Sequence, residues 1–189
     1  MASHVPDVSL PATMSAMLLT GHGDVDQLAY RDDVPVPRPG PGEVLVRVTA
    51  TAKNNTDRKA REGLYPVKKG QVTSFAMGGE PTLAFPRIQG ADIAGRVAAV
   101  GEGVDPARLG ERGLLDFNLY PDARRDINLT PDYYGHGADG GFAEYVAVPS
   151  DQFHHVPNPE LADAELAALG MCTGTPKLML GTKWPSITS

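Results

Sequence analysis

The chain has 189 residues, 41% hydrophobic and 21% charged, an ordinary balance that can bury one sizeable core and fills one to one and a half domains. Its 17 basic and 23 acidic residues leave a formal charge of −6, and the two signs interleave, so no basic stripe is available for a nucleic-acid backbone. No apolar run reaches the roughly 18 residues of a membrane span, and the first residues lack the basic-then-apolar order of a signal peptide, so a cytoplasmic, membrane-free protein is expected.

Residues 1–13 carry two prolines and no periodic pattern, which predicts a flexible N-terminal arm. Residues 16–20 and 27–31 read as two paired strands around the turn Gly21-His-Gly23. Residues 34–42 hold four prolines, which fix φ and remove ladder donors, so an extended connector follows. A Pro-rich ligand for a partner domain is the weaker reading of that piece. Residues 43–52 are rich in β-branched side chains, with polar groups at Glu43, Arg47, Thr49 and Thr51, and predict a strand.

Asn54-Asn-Thr-Asp57 can cap a short helix running through Lys59 and Arg61, with Gly63 as its stop. Residues 66–82, with three glycines and Pro81, predict a mobile surface loop. The small and apolar residues of 93–100 predict a strand buried on both faces, turned by Gly101-Glu-Gly103. Residues 108–117 give another strand, 118–139 a polar excursion, and 140–149 a further strand. From Pro159 to Leu169 the pattern becomes helical, for about three turns, with Gly170 as a cap. Beyond it, Gly174, Pro176, Gly181 and Pro185 predict no long regular element. Short strands at turn-rich intervals point to a mainly β chain with short helices, a barrel or sandwich.

Cys172 is the single cysteine, which excludes an internal disulfide and any zinc lobe built on two or four cysteines. His22, His136, His154 and His155 fall in turn-like or strand-edge contexts and His4 in the arm, without the i, i+4 spacing of a helical metal motif, so solvated histidines are expected. Gly135-His-Gly-Ala-Asp-Gly140 fits G-x-G-x-x-G formally. It neither follows an apolar strand nor opens a helix, so it is set aside as a phosphate cradle.

Four blocks now stand in order: Pro39-Gly-Pro-Gly-Glu-Val-Leu-Val-Arg-Val, Asn54-Asn-Thr-Asp57, the stretch from Phe85-Pro-Arg-Ile-Gln-Gly-Ala-Asp-Ile-Ala-Gly95 to Val104, and Asp139-Gly-Gly-Phe-Ala-Glu-Tyr-Val-Ala-Val-Pro149. Together they resemble the GroES-like N-terminal domain of the medium-chain dehydrogenase/reductase superfamily, over roughly residues 15–170. The resemblance implies a partly open β-barrel spanning residues 14–158, with 159–189 a helix and irregular tail where a C-terminal Rossmann domain would begin; that domain has no counterpart in these residues. In zinc members a cysteine opens the tetrapeptide that here starts at Asn54, and a His-Glu pair stands where this chain has Ala91-Asp92. The resemblance therefore implies the zinc-free, quinone-oxidoreductase-like branch, with NAD(P)H as cofactor, a small carbonyl or quinone as substrate, and no metal.

By the same resemblance Asn54, Asp57 and Tyr65 line the catalytic cleft, and Asn54 and Asn55 face the nicotinamide. Residue types alone leave helix capping as the competing role for Asn54, Asn55 and Asp57, and bracing of the loop for Tyr65. Asp92 is either an acceptor behind the site or a turn residue leading into its strand. Gly113, where an apolar β-branched residue is usual, is expected to loosen its strand. A half-site of this kind implies impaired hydride transfer alone. The alternative is a non-catalytic GroES-like module acting through protein contacts, with apolar area left exposed on the 160–170 helix and a homo-oligomer as one outcome.

Overall fold

The computed structural model describes residues 10–65, 83–120, 132–158 and 160–180. Ten strands and two α-helices follow in order: β1 (Thr13–Leu19), β2 (Leu28–Pro35), β3 (Glu43–Ala52), α1 (Asn55–Arg61), β4 (Arg87–Ile88), β5 (Asp92–Val100), β6 (Arg112–Leu115), β7 (Asn118–Leu119), β8 (Asp132–Tyr133), β9 (Tyr145–Pro149), β10 (Phe153–His155) and α2 (Asp163–Leu180). The strands form a five-stranded sheet, β10-β6-β5-β3-β9, a three-stranded sheet, β2-β1-β4, and the ribbon β7-β8. Every pairing within them is antiparallel.

One short segment joins the two larger sheets. Phe142 O accepts from Met17 N–H of β1 at 2.8 Å, and Glu144 O accepts from Val48 N–H of β3 at 2.9 Å, so residues 142–144 bond to one sheet on each side. The surface thereby curls into a partly open barrel, which limits the exposed sheet edge. Its filling comes from the alternating inward positions Val44, Val46, Ile93, Val97, Leu115, Val146, Val148 and Phe153.

The paired first strands, β3 with its predicted bounds, and the start of β5, buried from Asp92 to Gly95, match the sequence expectation. The second strand runs on to Pro35, further than the proline count suggested, because β2 is a sheet edge whose missing donors face outward. The expected arm at 1–13 and the loop at 66–82 fall mostly outside the described residues, and Thr13 already belongs to β1.

Two expectations are corrected. Gly113 does not loosen its strand: a Cβ there would lie 2.5 Å from His154 O and 2.7 Å from the Phe153 ring, so the glycine admits a fully packed phenylalanine. The last helix does not stop at Gly170 but continues to Leu180. Nor does its start leave a broad apolar face open. Over residues 163–171, Leu166, Ala167, Gly170 and Met171 are buried against β3 and β5, and Leu169 alone is a large exposed apolar side chain, at 40%.

The entry to α2 is fixed by charge. Arg112 on β6 donates through Nε to Asp163 Oδ1 at 2.5 Å, through Nη1 to Asn158 O at 2.8 Å, and through Nη2 to Leu161 O. A hydrogen bond from Thr49 and this guanidinium hold the Asp163 carboxyl below its usual range. At the same end Glu165 Oε2 accepts from Ala162 N–H at 2.8 Å, half of a capping box. Replacing Arg112 by methionine keeps its length but orphans two carbonyls and the carboxylate. The expected loss is about 1.5 kcal/mol by urea denaturation, with faster amide exchange confined to the start of α2.

Candidate functional site

The tetrapeptide at 54–57 lies where β3 leaves the sheet. Asn54 is the N-cap of α1, in extended backbone, and Asp57 takes the N3 position. Asp57 is 3% exposed, and its two oxygens accept from the N–H groups of Asn54 at 2.7 Å and Gly90 at 3.2 Å. Gln89 Nε2 donates to the Asp57 carbonyl at 2.9 Å. Burial nonetheless outweighs these bonds and raises the carboxyl above its ordinary value, with the field of Asp92 adding to it. Asp57 is therefore a staple between α1 and the turn before β5, not a side chain open to a cleft. At its other end α1 stops as expected: Gly63 has φ +70°, and the N–H groups of Gly63 and Leu64 close on the carbonyls of Ala60 and Lys59.

Asp92 opens β5 and is 2% exposed. Its Oδ1 accepts from Met171 N–H of α2, and its Oδ2 from Asn54 Nδ2 at 3.4 Å. Here too burial raises the carboxyl against the pull of both donors. Gly170 allows the approach, since any Cβ there would fall inside contact distance of Asp92 Oδ1.

Three elements meet at this point, and they bring residues the sequence did not single out. Thr56 Oγ1 donates to Met171 Sδ at 3.3 Å and lies close enough to the Tyr133 phenol to act on its proton. Tyr133 packs with Ala91, Phe117 and Met171 in a small apolar cluster. Burial first, then the fields of Asp57, Tyr65 and Asp132, push its hydroxyl far up, so it stays protonated. Behind it His136 is 2% exposed, which corrects the expectation of a solvated histidine: its Nδ1 lies 2.9 Å from Asp132 Oδ1, and its ring stacks on Tyr133 with centroids 5.2 Å apart. His22, His154 and His155 are exposed as expected. The stretch 135–140 forms a turn within this support and opens no helix.

Asn54, Thr56 and Tyr65 are half-buried, and the Tyr65 phenol is raised by burial and then by Asp57. Asn55 stands apart, exposed on α1, where its Oδ1 accepts from Arg58 Nε at 3.1 Å. The half-buried Asn54 amide and Thr56 hydroxyl are thus neutral polar groups set beside two buried carboxylates, Asp57 and Asp92. Among the described residues no three His, Cys, Asp or Glu converge as a metal-binding group.

Residues 40–158 match the alcohol dehydrogenase GroES-like domain. The chain belongs to that family. Among curated relatives, this GroES-like domain is 34% identical over 177 residues to a candidate alcohol dehydrogenase, AdhA, of Mycobacterium tuberculosis, covering 86% of this chain and 46% of that one. It is 28% identical over 142 residues to the chloroplastic NADPH-dependent alkenal/one oxidoreductase of Arabidopsis thaliana, covering 75% and 31%. Among solved structures, a candidate alcohol dehydrogenase from Sinorhizobium meliloti 1021 is 46% identical with a TM-score of 0.72, covering 85% of this chain and 44% of that one. A thermostable alcohol dehydrogenase from Pyrobaculum aerophilum, with cobalt and zinc bound, is 26% identical with a TM-score of 0.65, covering 83% and 44%. The chain thus spans less than half the length of these relatives.

Proposed function

We propose that this GroES-like domain is the substrate-side half of a zinc-independent, NAD(P)H-dependent oxidoreductase acting on a quinone, enone or other small carbonyl compound in the cytoplasm, and that it turns over little or no substrate by itself. The observation that carries the reading is the occupation of the metal's place. Ala91 offers no donor and is wholly buried with Phe117, Tyr133 and Met171. Asp92 has both oxygens engaged, and Asn54 presents an amide, a poor zinc ligand beside thiolate or imidazole. These residues do not fit a catalytic zinc, although the Pyrobaculum relative has zinc and cobalt bound.

Without a Lewis acid, a carbonyl oxygen that gains negative charge needs hydrogen-bond donors already in place. The Asn54 amide supplies one through its second Nδ2 hydrogen, the first being held by Asp92; the Thr56 hydroxyl, whose hydrogen lies on Met171 Sδ, supplies a second by turning away from the sulfur, and neither requires a shifted pKa. Tyr65, raised by burial, remains protonated and is the third donor of this reading. NAD(P)H, when bound, supplies the hydride; Asn54 is the residue of this chain that would face its nicotinamide, while Asn55, expected beside it, is turned to Arg58 on the exposed side of α1. The name of the Arabidopsis relative supports the enone class.

The test is a titration of the ¹⁵N-labelled chain with a benzoquinone, an α,β-unsaturated ketone and a primary alcohol at millimolar concentration, after dialysis against zinc. Shifts at Asn54, Thr56 and Tyr65 with the first two, and substoichiometric zinc, are expected. Stoichiometric zinc, or a response to the alcohol alone, overturns the reading. Rapid NADPH oxidation by the 189-residue chain overturns its dependence on further protein.

A further inference from the structure

We propose that Asp92 is a positioning residue: its carboxylate clamps the Asn54 side-chain amide to the backbone of α2, doing without metal the work of holding a polar group in place at the mouth of the cleft. This deepens the reading above, on which Asn54 meets the substrate, but the clamp itself is a property of the folded chain.

Asp92 on β5 ties the N-cap of α1 to the backbone of α2. One oxygen takes Asn54 Nδ2, 38 positions back in the chain, and the other takes Met171 N–H, 79 positions ahead. Having one amide hydrogen committed to Asp92 fixes the plane of the Asn54 amide, and with it the directions of Oδ1 and the second Nδ2 hydrogen. A donor oriented in advance loses less freedom when it binds. Carboxylates behind metal ligands orient them in the same manner; here the oriented group is the amide itself.

The site also lacks the simpler role of an ion pair. Among the described residues no cation contributes to the Asp92 charge, which is met by two N–H donors, and the charged group coupled to it is Asp57 on α1. A structural carboxylate serving only α2 would need one of its oxygens and would leave Asn54 indifferent to its protonation. That difference is measurable.

The experiment follows the Asn54 side-chain amide and the Met171 backbone amide of the intact 189-residue chain by ¹⁵N–¹H spectroscopy from pH 3 to pH 8. Both signals are expected to move with one shared midpoint, above the ordinary aspartate value. The Asn54 response should vanish in Asp92→Asn and persist in Asp57→Asn. Exchanging the pair, Asn54→Asp with Asp92→Asn, should restore a titrating side-chain amide, now at position 92. If single substitution unfolds the chain, the parent titration still decides: separate midpoints, or a Met171 signal that titrates while Asn54 stays still, overturn the clamp. No substrate or cofactor is used, so a failed clamp leaves the oxidoreductase reading standing, and a failed quinone or enone titration leaves the clamp standing.

Discussion

Replacing Asp57 with alanine is expected to lower the unfolding free energy by about 2–4 kcal/mol at pH 7, because it orphans two N–H groups at once and removes the N3 half of the cap. The donors are Asn54 N–H, at the start of α1, and Gly90 N–H, in the turn before β5. Two effects compete in the folded carboxyl. Its bonds favour the ionised form; burial disfavours it, and burial wins, raising the pKa. The folded state therefore binds the proton more tightly than the unfolded chain, so Asp57 contributes most stability below its ordinary value, and that part is lost as pH rises through the raised one. The loss on substitution should accordingly be greater at pH 4 than at pH 7, by urea denaturation of both proteins at both values. A loss that instead grows with pH would mean that the two N–H bonds outweigh burial.

The fold was legible wherever one local pattern decided the outcome. In β3 the β-branched run between a proline-rich connector and an Asn-rich cap left little choice, and both bounds agree. In α1 the cap and the stop each have residues suited to the job, Asn54 with Asp57 at N3, and Gly63. The last helix was misjudged because glycine past a periodic run is also the usual sign of a helix end. At Gly170 the missing side chain serves an approach between α2 and β5 instead, which no local pattern can reveal. Gly113 was misread for the same reason: its partner is the Phe153 ring, forty residues away.

The site was half legible. Asn54 and Asp92 stand in blocks that carry a family pattern, and the structure brings them together. Thr56 was passed over although it lies inside the same tetrapeptide; what distinguishes it is contact with Met171 and Tyr133, 115 and 77 positions further on. Tyr133 and the buried pair Asp132 and His136 occur in a polar, glycine-rich excursion without period, where solvation is the natural expectation. The ribbon of β7 and β8, with Gly135 beyond it, turns these three residues inward.

Gly170 gives the sharpest test of how the site is supported, because two contributions of known size oppose each other there. Within a helix, exchanging glycine for alanine ordinarily gains about 1 kcal/mol. In α2 the added methyl would enter the space of Asp92 Oδ1, so either the helix backs away from β5 or the carboxylate turns aside. The first costs the packing of Leu166, Ala167 and Met171; the second costs the bonds to Met171 N–H and Asn54 Nδ2. A charged hydrogen bond contributes about 1.5–3 kcal/mol, so the clash should prevail and Gly170→Ala should destabilise the chain by about 2 kcal/mol. Removing the obstacle reverses the sign: in an Asp92→Ala background the same substitution should stabilise, by up to about 1 kcal/mol. A double-mutant cycle on the two positions, read by urea denaturation, should therefore return a coupling of about 2–3 kcal/mol. If Gly170→Ala stabilises the parent as well, α2 does not rest on Asp92, and the glycine is no more than a weak place in the helix.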